Sequence, residues 1–166
     1  MSATHTVITL GAAVFASVAS HSALSAFAAS ETVTPEGYWR TIDDETDEAK
    51  GIVHITNQGG ELTGKVVKLM NLETDDPNPT CDDCPGERKG QPVKGMTILW
   101  GVEREGNEWS GGTILDPESG DTYDASLELR EGGQKLDVRG FIGFSMLGRT
   151  QTWERVDKPK LKKDSG

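Results

Sequence analysis

Histidine and cysteine are scarce in this chain. Of 166 residues, three are histidine and two are cysteine, and beyond residue 28 the remaining ones are His54, Cys81 and Cys84. A Ser-His-Asp or Cys-His centre in that part would rest on His54 alone. A four-ligand zinc site has too few partners. Positive charge is also short: 17 Lys and Arg stand against 27 Asp and Glu, a net charge of −10. Such a balance repels phosphate backbones and anionic headgroups, which argues against nucleic-acid binding and polybasic membrane docking. No phosphate-binding glycine motif is present, and no stretch after residue 28 keeps a helical period.

The first thirty residues contain no Lys, Arg, Asp or Glu. An apolar run over residues 7–19 is followed by Ala26-Phe27-Ala28, the small-x-small pattern of a signal-peptide cleavage site. The alternative is a retained membrane anchor. Ser20-His21-Ser22 interrupts the run, however, short of the ~20 continuous apolar residues that a span needs. Residues 1–28 are therefore read as a signal peptide, giving a periplasmic or secreted protein with no stable membrane insertion after cleavage.

The chain beyond residue 28 reads as short alternating runs between Gly- and Pro-rich turns, the pattern of an all-β fold. Tyr123, Ala125, Leu127 and Leu129 fall on one face, with Asp124, Ser126 and Glu128 on the other. Leu136, Val138 and Gly140 alternate in the same way with Asp137, Arg139 and Phe141, across a Glu131-Gly132-Gly133 hairpin signal. Eight strands are expected, at residues 37–43, 51–57, 61–69, 96–102, 108–115, 122–130, 135–142 and 149–156. Hairpin-linked strands without edge protection favour an eight-stranded antiparallel up-and-down barrel over residues 29–156, with a two-sheet sandwich as the alternative. Residues 70–94 form a long acidic, Pro-rich loop. Residues 157–166, with Lys158, Lys160, Lys162 and Lys163, form a charged tail expected to be disordered.

Cys81-Asp82-Asp83-Cys84 in that loop admits three readings. A structural disulfide suits an oxidising compartment, and closing so small a ring is worth only about 2 kcal/mol. A redox pair would need a helix N-terminus to activate the first thiol, where Pro85-Gly86 follows instead. A metal site lacks further ligands. The disulfide is the favoured reading. Asp75, Asp76, Asn78, Asp82 and Asp83 crowd the same loop, but their spacing fits no EF-hand, so a solvated acidic loop is expected. Gly143-Phe144-Ser145-Met146-Leu147-Gly148 lacks the spacing and context of a nucleophile elbow. The residues imply no cofactor, no metal and no catalytic set.

Gly37-Tyr38-Trp39 opens the first strand and Arg149 to Arg155 forms the last. In a closed barrel these strands are neighbours, so an arginine of the last would lie over the Trp39 ring and plug one end. Trp39, Arg149 and Trp153 are taken as that structural set.

These motifs carry a resemblance. Pro92-Val93-Lys94-Gly95, Trp109-Ser110-Gly111-Gly112-Thr113-Ile114-Leu115-Asp116-Pro117, Gly120-Asp121-Thr122-Tyr123, Leu136-Asp137-Val138-Arg139-Gly140-Phe141-Ile142-Gly143 and Gly148-Arg149-Thr150-Gln151-Thr152-Trp153 together resemble the bacterial exported family termed domain of unknown function 2147. With Asn78-Pro79 the likeness spans residues 37–155. It implies a lipocalin-like barrel behind a signal peptide and brings no catalytic residues with it.

The leading functional expectation is non-enzymatic binding of a small apolar ligand inside the barrel, with the 70–94 loop over an open mouth. Tyr123 and Arg139 are the candidate polar anchors, and Trp100 and Trp109 the candidate walls. The alternative is a cell-envelope interaction or stress-response module acting through the acidic surface and long loop. A hydrolase using His54 and Arg139 ranks third. Nothing in the pattern specifies an oligomeric state.

Overall fold

A computed structural model describes residues 33–43, 45–72, 76–143 and 147–160. The expected signal peptide lies outside the described residues, as do residues 161–166 of the tail, and residues 157–160 take no regular structure.

Among the described residues ten strands run in order: β1 (Gly37–Ile42), β2 (Ala49–Gln58), β3 (Glu61–Leu69), β4 (Thr80–Cys81), β5 (Gln91–Pro92), β6 (Thr97–Glu105), β7 (Glu108–Leu115), β8 (Thr122–Arg130), β9 (Lys135–Phe141) and β10 (Gly148–Val156). Eight of them close into an antiparallel barrel in the order β1-β10-β9-β8-β7-β6-β3-β2, while β4 and β5 pair as a separate ribbon. Closure rests on the β1–β10 seam, where Tyr38 faces Val156, Trp39 faces Arg155 and Arg40 faces Glu154. Arg40 and Glu154 also pair through their side chains. A closed sheet leaves no unpaired edge to template aggregation, so its long strands need no edge protection.

Period-two alternation decides what fills the interior. Ala125 and Leu127 on β8, and Leu136 and Val138 on β9, are buried, and their neighbours face outward. Trp39, Ile55, Leu62, Leu99 and Trp153 join them in the core. Burying each such large side chain is worth about 1.5–3 kcal/mol relative to exposure. Gly112 on β7 permits a close approach of neighbouring chain. A Cβ there would collide with the Val102 side chain and the Trp100 carbonyl.

β6 runs three residues beyond the end expected from sequence, through Glu103, Arg104 and Glu105. All three are exposed, so the extension carries no apolar signal, although its ladder to β7 continues to Glu105 facing Glu108. The 70–94 loop is likewise more structured than expected. It holds the β4–β5 ribbon, a short 3₁₀ turn at Gly86–Arg88, and the Cys81–Cys84 disulfide.

Because neighbouring strands run antiparallel, the β1–β2, β3–β6, β7–β8 and β9–β10 connections emerge at one end. The tight β2–β3, β6–β7 and β8–β9 turns emerge at the other. The two ends are built differently, and that difference positions the site.

Candidate functional site: a barrel cavity with one closed end

The end with tight turns is plugged. Trp39 is fully buried and its indole Nε1 donates to the Pro35 carbonyl at 2.7 Å. The Arg155 guanidinium lies 4.2 Å from the Trp39 ring centre. Its Nη1 and Nη2 donate to the carbonyls of Glu36 and Thr34, each at 2.7 Å, and its Nε donates to that of Gly133. One side chain thus ties the segment before β1 to the β8–β9 turn. Arg149, assigned to this cluster from the sequence, sits at the far end of β10, 3.7 Å from Glu45. The physical reason is direction. β10 runs antiparallel to β1, so its last inward residue, not its first, reaches Trp39.

The other end opens into a cavity of about 960 Å³. Its floor is apolar, formed by Val53, Val66, Ile98, Val138 and Trp153, all buried side chains of the barrel wall. The rim is polar and drawn from the loops and strand ends. Asp43, Lys50, Asp116, Glu118 and Arg149 stand there. The 70–94 loop contributes to the wall through Leu72, Pro79, Thr80, Asp82, Asp83 and Val93. Cys81 and Cys84 are 1% and 2% exposed and belong to the core, so the disulfide anchors this loop in the mouth instead of stiffening a solvated tip. Gly120 receives it: with φ of +78°, it leaves no room for a Cβ against the Asp83 carbonyl, which seats the Cys81–Cys84 segment on the β7–β8 loop.

Of the four ligand contacts expected from sequence, Tyr123 lines the cavity. Burial first, and then the carboxylates of Asp121 and Asp116, push its phenol above the usual range. The other three lie outside the lining. Arg139 donates to Thr150 Oγ1 at 3.0 Å on the outer wall, because the inward positions of β9 are Leu136, Val138 and Gly140. Trp100 is half-buried with Arg88 4.3 Å over its ring. Trp109 is buried near the closed end, beneath Arg104 at 5.5 Å. Trp153, assigned a structural part, lines the cavity as well and donates to Gln151 at 3.2 Å.

His54 stands outside the cavity. Its ring stacks on Tyr38 with centroids 4.1 Å apart and planes 5° from parallel. Burial, and then the charge of Lys158, hold its pKa below the usual imidazole value. Among the described residues no group of three His, Cys, Asp or Glu side chains is placed to hold a metal ion. No helix among them is long and apolar enough to cross a membrane.

Comparison with known proteins fits this geometry. The profile of a bacterial family, described as "Uncharacterized protein conserved in bacteria (DUF2147)", matches residues 37–155, from the first barrel strand to the plug arginine. The chain belongs to this family. Its DUF2147 domain is therefore the barrel itself, and the fold is lipocalin-like. A solved structure, protein HP1028 from Helicobacter pylori, described as belonging to the lipocalin family, is similar with a TM-score of 0.65 at 17% identity. The match covers 76% of this chain and 85% of that one. At that identity the likeness concerns fold. No curated protein matches.

Proposed function

We propose that the protein is a non-enzymatic binding protein that holds one small, largely apolar ligand in its barrel outside the cytoplasm. The observation that carries this reading is the cavity of about 960 Å³, apolar at its floor and entered from one end. That volume lies within the range of about 300–1,000 Å³ typical of small-molecule sites. A barrel made only for stability would fill that space with its own side chains. The plugged end supports it too, since a cavity sealed at one side retains an apolar guest by excluding water from the floor. The extracytoplasmic placement rests on the pattern of residues 7–28, and a disulfide suits an oxidising compartment.

The test is native mass spectrometry of the protein purified from cells that make it, followed by organic extraction. A stoichiometric apolar compound, absent from a variant with Val138→Trp in the cavity floor, is expected. Protein whose mass is unchanged by extraction, and which takes up no apolar compound afterwards, would refute the reading.

A second reading has one observation in its favour. Ile142 and Leu147, which flank the β9–β10 turn at the mouth, are 72% and 75% exposed. Both also line the cavity mouth, and contact with an envelope partner there would cover them.

A further inference from the structure

The rim of the cavity carries charge of predominantly one sign. Among its lining residues, Asp43, Asp82, Asp83, Asp116 and Glu118 face two cations, Lys50 and Arg149. The carboxylates are not one cluster. They come from the β1–β2 connection, the disulfide segment and the β7–β8 loop, and so stand around the opening.

Both cations are already engaged. Arg149 lies 3.7 Å from Glu45. Lys50 Nζ lies 3.6 Å from Glu118 and 3.9 Å from Asp43. Lys50 belongs to β2, and Glu118 to the loop entering β8, which is four positions away in the eight-stranded ring. The Lys50–Glu118 pair therefore spans the mouth. It demonstrates that an ammonium group is accommodated there between carboxylates from opposite sides. Directly below the rim the walls turn apolar, with Ile52, Leu69, Ile114 and Tyr123 leading to the floor.

We infer that the cavity takes an amphiphile with a cationic, ammonium-type head, held at the rim by Glu118 and Asp43 in place of the Lys50 ammonium, its tail on the apolar floor. This rests on the ligand-binding reading above and names the class of ligand. A carboxylate head would meet the same ring as a like charge, at a cost that water only partly screens. An ammonium head gains from it.

The test compares three probes of one chain length, decylammonium, decan-1-ol and decanoate, below the concentrations at which they aggregate. Binding is followed by tryptophan fluorescence, for which Trp153 stands in the cavity wall. Decylammonium is expected to bind at least about tenfold more tightly than decanoate at low salt, with the alcohol between them, and the gap is expected to narrow as salt rises. Glu118→Gln should shrink the preference several-fold. Lys50→Met, which removes the internal competitor, should enlarge it. Glu108→Gln at the closed end removes equal charge and should leave it unaltered, which separates rim recognition from the general attraction of an acidic protein for cations. If the alcohol binds and the ammonium probe binds no better than decanoate, the head-group assignment is overturned and the apolar-ligand reading stands. If none of the three binds, both fall.

Discussion

Arg155 lies 4.2 Å over the ring of Trp39, and the two residues face each other across the β1–β10 seam that closes the barrel. The contact joins the two chain ends of the domain, and it does so with every guanidinium nitrogen donating to a backbone carbonyl. Arg155→Ala removes the cation–π contact and leaves three carbonyls to find water, so a loss of about 2–4 kcal/mol is expected in urea unfolding. Arg155→Lys keeps the charge without the planar fork and should recover only part of it. Arg149→Ala, at the exposed opposite end, should change stability by under about 0.5 kcal/mol. Equal effects of the two alanine variants would disprove the plug.

The stack of His54 on Tyr38 gives a prediction in pH. The folded pKa of His54 lies below its unfolded value of 6.5, with burial the first cause. The folded state therefore binds fewer protons than the unfolded one across that window. The contribution of His54 to stability is present above pH 6.5 and is lost as pH falls through the folded pKa. NMR titration of the ring, assigned with His54→Gln, should give a midpoint under 6.5. Tyr38→Ala uncovers the ring and should move that midpoint upward. A midpoint at or above 6.5 in the parent would contradict the burial argument.

The disulfide has a positional consequence. Cys81 and Cys84 are buried in the core while Asp82 and Asp83 between them line the cavity. Replacing both cysteines by serine should lower stability by about 2 kcal/mol. It should also speed the release of a bound apolar probe, measured by stopped-flow dilution, because the segment is part of the wall. An unchanged release rate would place the segment outside the ligand's path.

Gly120 should behave as the seat of that segment. Gly120→Ala sets a Cβ against the Asp83 carbonyl at a φ of +78°, and strain plus displacement should cost about 1–3 kcal/mol. Gly106→Ala, with nothing within 4 Å of its Cβ, carries the φ penalty alone and provides the comparison. If the two cost the same, Gly120 holds nothing in place.

The barrel was legible in the sequence because alternation is a local signal. Ala125, Leu127, Leu136 and Val138 announce an inward face in any arrangement that buries one side of the sheet, and the glycine turns announce where strands end. The closed seam followed from topology. The cavity was not legible, because inward facing does not distinguish a side chain that fills the interior from one that lines a space. Trp109 and Trp153 are both large, aromatic and buried, yet one packs near the plug and the other borders the cavity. What separates them is height along the barrel axis, and that depends on stagger between strands. The same quantity distinguishes Arg155 from Arg149. Both occupy odd positions on β10 with Gln151 and Trp153, and a reading of strand direction from Trp39 would have selected Arg155. Arg139 lies on the face of β9 opposite to Val138, so its outward facing was readable once Leu136 and Val138 were placed inside.

Binding within the barrel is tested most directly by titrating the purified protein with a neutral, environment-sensitive apolar fluorophore. The parent is expected to bind one molecule saturably, with energy transfer from tryptophan that falls in Trp153→Phe. Val138→Trp, which fills the floor, is expected to abolish binding while leaving the unfolding transition cooperative. A folded Val138→Trp variant that bound the fluorophore as tightly as the parent would contradict the account.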